Sequence, residues 1–503
     1  MQRRAFLVSA MGMAAACGRR PFELEEATVA SVRASGYTAR QLAEEYLARI
    51  RAVDQQGYEL RSVIEVNPDA LQLAGELDRE RMEKGPRGPL HGIPILLKDN
   101  IDTGDRMLTT AGSLALAGKP APGDAAVAAR LRAAGALILG KTNLSEWANI
   151  RSSQSTSGWS ARGGQTRNPY ILDRNPSGSS SGSAVAVSAN LCVAAIGTET
   201  DGSIVSPSSV CGVVGIKPTV GLVPATGIVP ISHTQDTAGP MARTVTDAAL
   251  VLSALSGEDY AGALKEDALR GARIGVARQL YGWSEHVDFL MGRVHAKLRE
   301  LGAELVDPVE FPSYRKWPGA EMEVLLTELK AGMAAYLESR GTTAEVRTLA
   351  DIIRFNEANR AREMPYFGQD LFLKAEAKGT LNSKEYLEAL ATCRRASRDE
   401  GIDAVMNQHK LDAIIAPTNN PASRLDWVNG NYGRGGSSTY AAVAGYPHVT
   451  VPGGWVFGLP VGVSFFGRAR TEAQLIGYAY AFEQATKARK PPQFLPAGTL
   501  VAS

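Results

Sequence analysis

The sequence predicts an α/β fold: one large layered domain around a mixed, mostly parallel twisted sheet, covered by helices on both faces. Three observations carry that expectation. Helical and extended patterns alternate along the chain, as in a layered α/β unit. The extended segments are short apolar runs bounded by turn residues, as strands buried on both faces would be. No low-complexity linker divides the 503 residues and no solenoid period recurs. With 44% hydrophobic and 21% charged residues, the chain has ample apolar material for a large core.

The elements follow in order. Residues 22–84 read as helical; TARQLAEEYLARIRAVD places Leu42, Tyr46, Leu47 and Ile50 near the helical period. Ile93 to Leu97 is a short apolar run punctuated by Pro94, a strand ending at Lys98. GDAAVAARLRAAGALILGKTN reads as a helix capped by Asp124 and closed by Gly135, then a strand over Ala136 to Leu139. After a Ser/Gly run the pattern repeats: SAVAVSANL as helix and CVAAIG as strand, then TVTDAALVLSALSG as helix and RIGVAR as strand. Residues 260–410 form a more variable, helix-rich and charged region expected to lie over the core and to shape a substrate entrance. LDAIIAPT, GYPHVTVPGG and LPVGVSFFG read as three further strands, and TEAQLIGYAYAFEQATKAR as a final helix.

The first residues, MQRRAFLVSAMGMAAAC, read as an export signal over 1–16. Arg3 and Arg4 precede an apolar stretch too short to span a bilayer, a twin-arginine-like pattern. Cys17 follows three alanines and is a candidate for lipidation, hence for a membrane tether. The expected location is the periplasm, free or lipid-anchored. Net charge is +2, and removal of 1–16 would leave equal numbers of basic and acidic residues. No basic excess points to nucleic acid. Four scattered cysteines make no disulfide framework, and no ligand spacing suggests zinc, so no metal or cofactor is expected.

Three stretches can carry chemistry. In LLKDN, Lys98 is either a solvated surface group or an amine drawn inward by the strand before it. In the second case desolvation lowers its pKa and makes it a base near neutral pH. NPSGSSSGSAVAV, residues 175–187, is either a flexible linker or a turn at a helix start whose free N–H groups suit an anion. The Gly-Lys-Ser/Thr of a phosphate loop is missing. GTETDGSI, residues 197–204, is either a plain Asp-Gly turn or a cluster of N–H groups able to stabilise an oxyanion. A single oxyanion donor is worth roughly 3 kcal/mol.

Together and in this order, LHGIPILLKDN, GSSSGSAVAV and GTETDGSIVSPSSVCGVVGIKPTVGLVP resemble the amidase signature family, from about residue 22 to about 490, within a domain expected over 22–495. GIVPISHTQDTAGPMARTVTDAA is most similar to the bacterial peptide amidases within it. The resemblance implies a Ser-Ser-Lys triad: Ser203 as nucleophile, Ser179 as a bridging serine on a cis peptide bond, and Lys98 as base. It implies an oxyanion hole from the N–H groups of Thr200, Asp201, Gly202 and Ser203, with Thr198 and Asp236 in supporting places. His233 reads as a packed or pocket-lining residue and not as a base. The chain departs from the family at Asp201, where glycine is frequent, and at Val205, where an arginine that holds a substrate carboxylate in some members is replaced. Ser177 and Ser181 also stand where glycines are common.

The implied activity is hydrolysis of primary amides with release of ammonia, with C-terminal amides of peptides as a candidate substrate. The alternatives are an amidase or esterase of other acyl or aryl substrates, a glutaminase-type amidotransferase subunit, and a non-catalytic binding protein. A monomer or homodimer acting on a small-molecule or peptide amide is expected, with no nucleic-acid partner.

Overall fold

The computed structural model describes residues 23–317, 319–431 and 435–499. The expected export signal and Cys17 lie outside them. Eleven described strands form the main sheet: β1 (Val63–Val66), β2 (Pro94–Lys98), β3 (Leu137–Thr142), β4 (Ala194–Glu199), β5 (Val214–Lys217), β6 (Thr237–Ala242), β7 (Arg273–Val276), β8 (Glu304–Val306), β9 (Ala413–Pro417), β10 (His448–Val456) and β11 (Leu459–Phe466). Their spatial order is β1-β3-β2-β4-β6-β5-β10-β11-β9-β7-β8.

The sheet is mixed, but the expectation of mostly parallel pairing is corrected. Parallel pairs join β3, β2 and β4 on one side and β9, β7 and β8 on the other. The centre, from β4 through β6, β5, β10 and β11 to β9, is antiparallel throughout, and β1 pairs antiparallel with β3 at the edge. Connection length explains one of these pairs. β10 and β11 are joined by Phe457 and Gly458 alone, both at positive φ (50° and 76°), which suits a hairpin turn and leaves no room for a crossover helix.

Helices cover both faces. Along β11, Gly462 abuts Ser209 of the Val205–Val210 helix, whereas Phe465 packs against Phe482 of the C-terminal Glu472–Thr486 helix. Residues three apart in a strand point to opposite faces, and all eight residues of β11 are buried. The reading of 22–84 as wholly helical is corrected by β1, whose VIEV core is β-branched and sits at the edge. Asp124 does not cap its helix: it accepts the Gly104 N–H, and Ala125 holds the cap position.

A second hydrophobic cluster lies over the sheet. Leu329, Met333 and Leu337 of the Ala320–Ser339 helix pack with Trp147, Val229 and Ile231 from loops near the strand ends. The variable helical region thus covers the side of the molecule where β2 and β4 terminate.

Candidate active site

β2 and β4 are parallel neighbours, so Lys98 and Thr198 arrive at the same end of the sheet. The β2 residues Ile95, Leu96 and Leu97 are fully buried and carry Lys98 inward with them. Its Nζ donates to Ser179 Oγ at 2.8 Å and to Thr198 Oγ1 at 2.9 Å, and lies 3.3 Å from the Thr198 carbonyl oxygen. Asn100 Nδ2 donates to the same threonine hydroxyl at 3.0 Å. Lys98 is wholly buried, and desolvation brings its pKa down to about 7, against the pull of Asp236 and Glu199 toward the charged form.

The Ser/Gly run is a buried turn and not a linker: Ser179, Ser180, Ser181 and Ser183 have no exposed surface. The Gly178–Ser179 peptide is cis. The Ser181–Ser188 helix follows directly. A Cβ at Gly182 would stand 2.4 Å from the carbonyl oxygens of Asn143 and Ser62, so only glycine allows this helix to approach β3 so closely. Ser180 Oγ exchanges hydrogen bonds with the Thr198 main chain, and Ser180 N–H donates to the Ser203 carbonyl at 3.1 Å. These bonds tie the bridging loop to the strand end and to the turn beyond it.

That turn is held from several sides. Glu199 Oε2 accepts the Ile204 and Val205 N–H groups at 2.7 and 3.0 Å. Thr200 Oγ1 donates to Asp236 Oδ1 at 2.6 Å, and Asp236 Oδ2 accepts the Ile231 and Ser232 N–H groups. Gln235 Nε2 donates to the Thr200 carbonyl at 3.2 Å and to Glu321 Oε1 at 3.0 Å. Because a peptide unit is planar, fixing the Thr200 C=O also fixes the opposed Asp201 N–H. The Asp201 carboxylate accepts from Ser438 Oγ at 2.5 Å and Thr439 Oγ1 at 2.7 Å. Gly202 has φ of 80°, the left-handed conformation that favours glycine; Asp201 does not. The N–H groups of Asp201, Gly202 and Ser203 donate to no described residue. Ser203 is 8% exposed, and its hydroxyl bonds to no described side chain.

The site is rich in carboxyls whose charge is disfavoured. Desolvation raises Asp236 to about 6 and pushes Glu199 up, and burial with Asp201 nearby lifts Glu321 to about 8. Beside Asn100 lies a small apolar cavity whose walls include Ala111, Trp147, Ile231 and Met333. Among the described residues no His, Cys, Asp and Glu group could hold a metal ion.

The amidase family model matches residues 41–476. The chain belongs to the amidase family. It is an amidase, a hydrolase of that family. A solved structure of native peptide amidase from Stenotrophomonas maltophilia is 50% identical, with a TM-score of 0.90 over 94% of this chain and 100% of that one. A probable amidase from Arabidopsis thaliana is 42% identical, covering 94% of this chain and 93% of the relative. A glutamyl-tRNA(Gln) amidotransferase subunit from Synechococcus is 33% identical, covering 90% of this chain and 91% of the relative.

Within this amidase the family departures have local explanations. Asp201 is tolerated because the positive φ falls on Gly202 beside it. Ser177 takes φ of 58°, the conformation glycine would favour; its N–H is held by Asn175 Oδ1 and its carbonyl by Ser181 Oγ. Val205 is fully buried and offers a substrate nothing polar. His233 is not packed: its side chain is 61% exposed, with Nδ1 3.2 Å from the buried Glu328. Glu199, Gln235, Glu321, Ser438 and Thr439 are site residues that the sequence reading missed. Glu199 lies inside the GTETDGSI stretch, where an acid at a strand end followed by a short helix is the available signal.

Proposed function

We propose that this amidase releases ammonia from primary amides by a Ser-Ser-Lys acyl-enzyme mechanism, with the C-terminal amides of peptides as substrates. The observation that carries the mechanism is the 2.8 Å hydrogen bond between the buried Lys98 amine and Ser179 Oγ. An amine with a pKa of about 7 is largely neutral at mildly alkaline pH and can accept the Ser179 proton. Ser179 takes the proton of Ser203, whose Oγ attacks the amide carbonyl carbon. The oxygen of the tetrahedral intermediate turns to the N–H groups of Thr200 through Ser203. The proton returns through Ser179 to the amide nitrogen, the C–N bond breaks and ammonia leaves. Water then cleaves the Ser203 ester by the same relay and frees the acid.

Two observations support a peptide amide. The 50% identical solved structure is a peptide amidase. The buried Val205 supplies no cation for a substrate carboxylate. Export of the chain and a lipid anchor at Cys17 would place it where peptides arrive from outside.

The test is ammonia release from peptide, aliphatic, aromatic and fatty amides by the wild type and by Ser203→Ala, Ser179→Ala and Lys98→Ala. All three variants are expected to lose turnover, and peptide amides to give the highest kcat/KM. An unaffected Ser203→Ala rate would sink the mechanism; a preference for aryl or fatty amides would sink the substrate. Cytosolic recovery with co-purifying subunits would favour an amidotransferase role instead.

A further inference from the structure

A cleft of about 940 Å³ shares no residue with the active site. It lies between the Glu285–Glu300 helix, the β10–β11 hairpin and the chain after the C-terminal helix. Sheet topology sets its position. Three antiparallel pairings separate β4 from β10, so β10 runs opposite to β4 and β2. Its C-terminal end and the Phe457–Gly458 turn therefore lie at the end of the sheet away from Lys98 and Thr198.

The cleft has a basic rim and an apolar floor. Arg293, Lys297, Lys487 and Lys490 line it, and no Asp or Glu does. Arg293 and Lys487 have no ion-pair partner among the described residues, while Lys490 sits over the Trp455 ring at 5.3 Å. Tyr170, Leu290 and Phe482 form part of the buried floor. On the rim Phe289 is 74% exposed, unusual for a phenylalanine with no polar handle. Clustered cations around exposed aromatic and aliphatic surface suit an anionic, partly apolar interface.

The start of the described chain is anchored at this wall. Glu26 is held by Arg489 through two hydrogen bonds of 2.7 Å, between the cleft residues Ala488 and Lys490. Cys17 stands nine positions earlier, with Arg19 and Arg20 between. Nine residues reach at most about 30 Å when extended. An acyl chain on Cys17 would therefore keep this end of the molecule near a bilayer, and the two arginines would add to the same charge.

We infer that the cleft end of this amidase docks on anionic phospholipid headgroups, with Phe289 entering the interface and the catalytic end facing away from the bilayer. The inference is independent of the reaction proposed above, because no residue of the cleft belongs to the site. Each cation at such a surface contributes about fivefold to binding.

Co-sedimentation of full-length Cys17→Ser protein with vesicles tests it without any contribution from lipidation. Binding is expected to phosphatidylglycerol-containing vesicles and not to pure phosphatidylcholine, and to weaken with salt. Arg293→Glu/Lys487→Glu is expected to lose at least about 25-fold in affinity, and Phe289→Ser to lose less. Lys384→Glu, a reversal on a helix that lines no part of the cleft, is expected to bind like the parent. Thermal unfolding confirms that each variant is folded. Equal binding to both vesicles, or equal loss in Lys384→Glu, overturns the inference. So does a concentration-dependent dimer disrupted by Arg293→Glu/Lys487→Glu, which would make a second copy the occupant.

Discussion

Two buried lysines on neighbouring strands invite comparison. Lys98 ends β2, and Lys141 lies on β3, opposite Leu97 in the parallel ladder. Neither has exposed surface, and burial lowers the pKa of both. Their company differs. Lys141 donates to the Ile101 carbonyl at 2.5 Å and to Thr109 Oγ1 at 3.0 Å, with Asp99 and Asp102 as the carboxylates that most favour its charge. Lys98 is bonded mainly to hydroxyls, and one of these, on Ser179, belongs to the loop that touches the nucleophile turn. Burial pushes both amines toward shedding a proton. The carboxylates around Lys141 favour its charge, whereas the hydroxyls around Lys98 suit the proton exchange proposed for it.

The comparison breaks most sharply under substitution. Lys98→Met is expected to lower kcat by about 10³-fold or more without loss of stability, since an apolar side chain replaces a poorly solvated amine. Lys141→Met is expected to do the opposite. It removes the bonds to the Ile101 carbonyl and the Thr109 hydroxyl and one of the cations near Asp99 and Asp102, which keep Arg162 and Arg340, and should cost about 1–3 kcal/mol, with kcat per folded molecule changed only a few-fold. Denaturant titration beside steady-state kinetics separates the two; similar losses of turnover would abolish the distinction.

A smaller effect tests the turn that Lys98 serves. Gln235→Leu frees the Thr200–Asp201 peptide and should lower kcat by about 10–100-fold with little change in KM. A change confined to KM would show that Gln235 orders a binding surface and not the oxyanion donors. The pH profile sharpens the same point. The base must be neutral, so kcat/KM should fall as pH drops below about 7. Asp236 favours the charged lysine, so Asp236→Asn should move that limb to lower pH, whereas a limb that stays fixed would assign it to another group. Least of all, His233→Ala should leave kcat/KM within about twofold, as expected of an exposed side chain outside the relay.

The proposed site was legible through the resemblance of three short runs to the amidase signature, since each run alone left a bland reading open. Lys98 ends an apolar run that had to be buried, and Ser179 and Ser203 flank the helix and strand that bring them together. The supporting contacts were not legible, because they join distant stretches. Gln235 meets Glu321 across 86 positions, and Asp201 meets Ser438 across 237. Sheet direction failed for a different reason. β6 contains Pro240 yet pairs on both sides, a strand that residue preference argues against, and without it the antiparallel centre was invisible. The exposure of His233 was not legible because nothing in its neighbours' polarity tells which side of a loop faces water.

The bonds from Glu199 to Ile204 and Val205 have a consequence for how the enzyme meets its substrate. The chain leaves β4 at Glu199 and is tied back to that residue five positions later, so Ser203, the proposed nucleophile, sits in a closed buckle fastened to the sheet. The backbone that carries the proposed attacking group is thus fixed before any ligand arrives, and the cost of ordering it falls on folding instead of on each catalytic cycle. An enzyme built this way has no need of a large substrate to assemble its machinery, and can leave discrimination to the walls of the entrance.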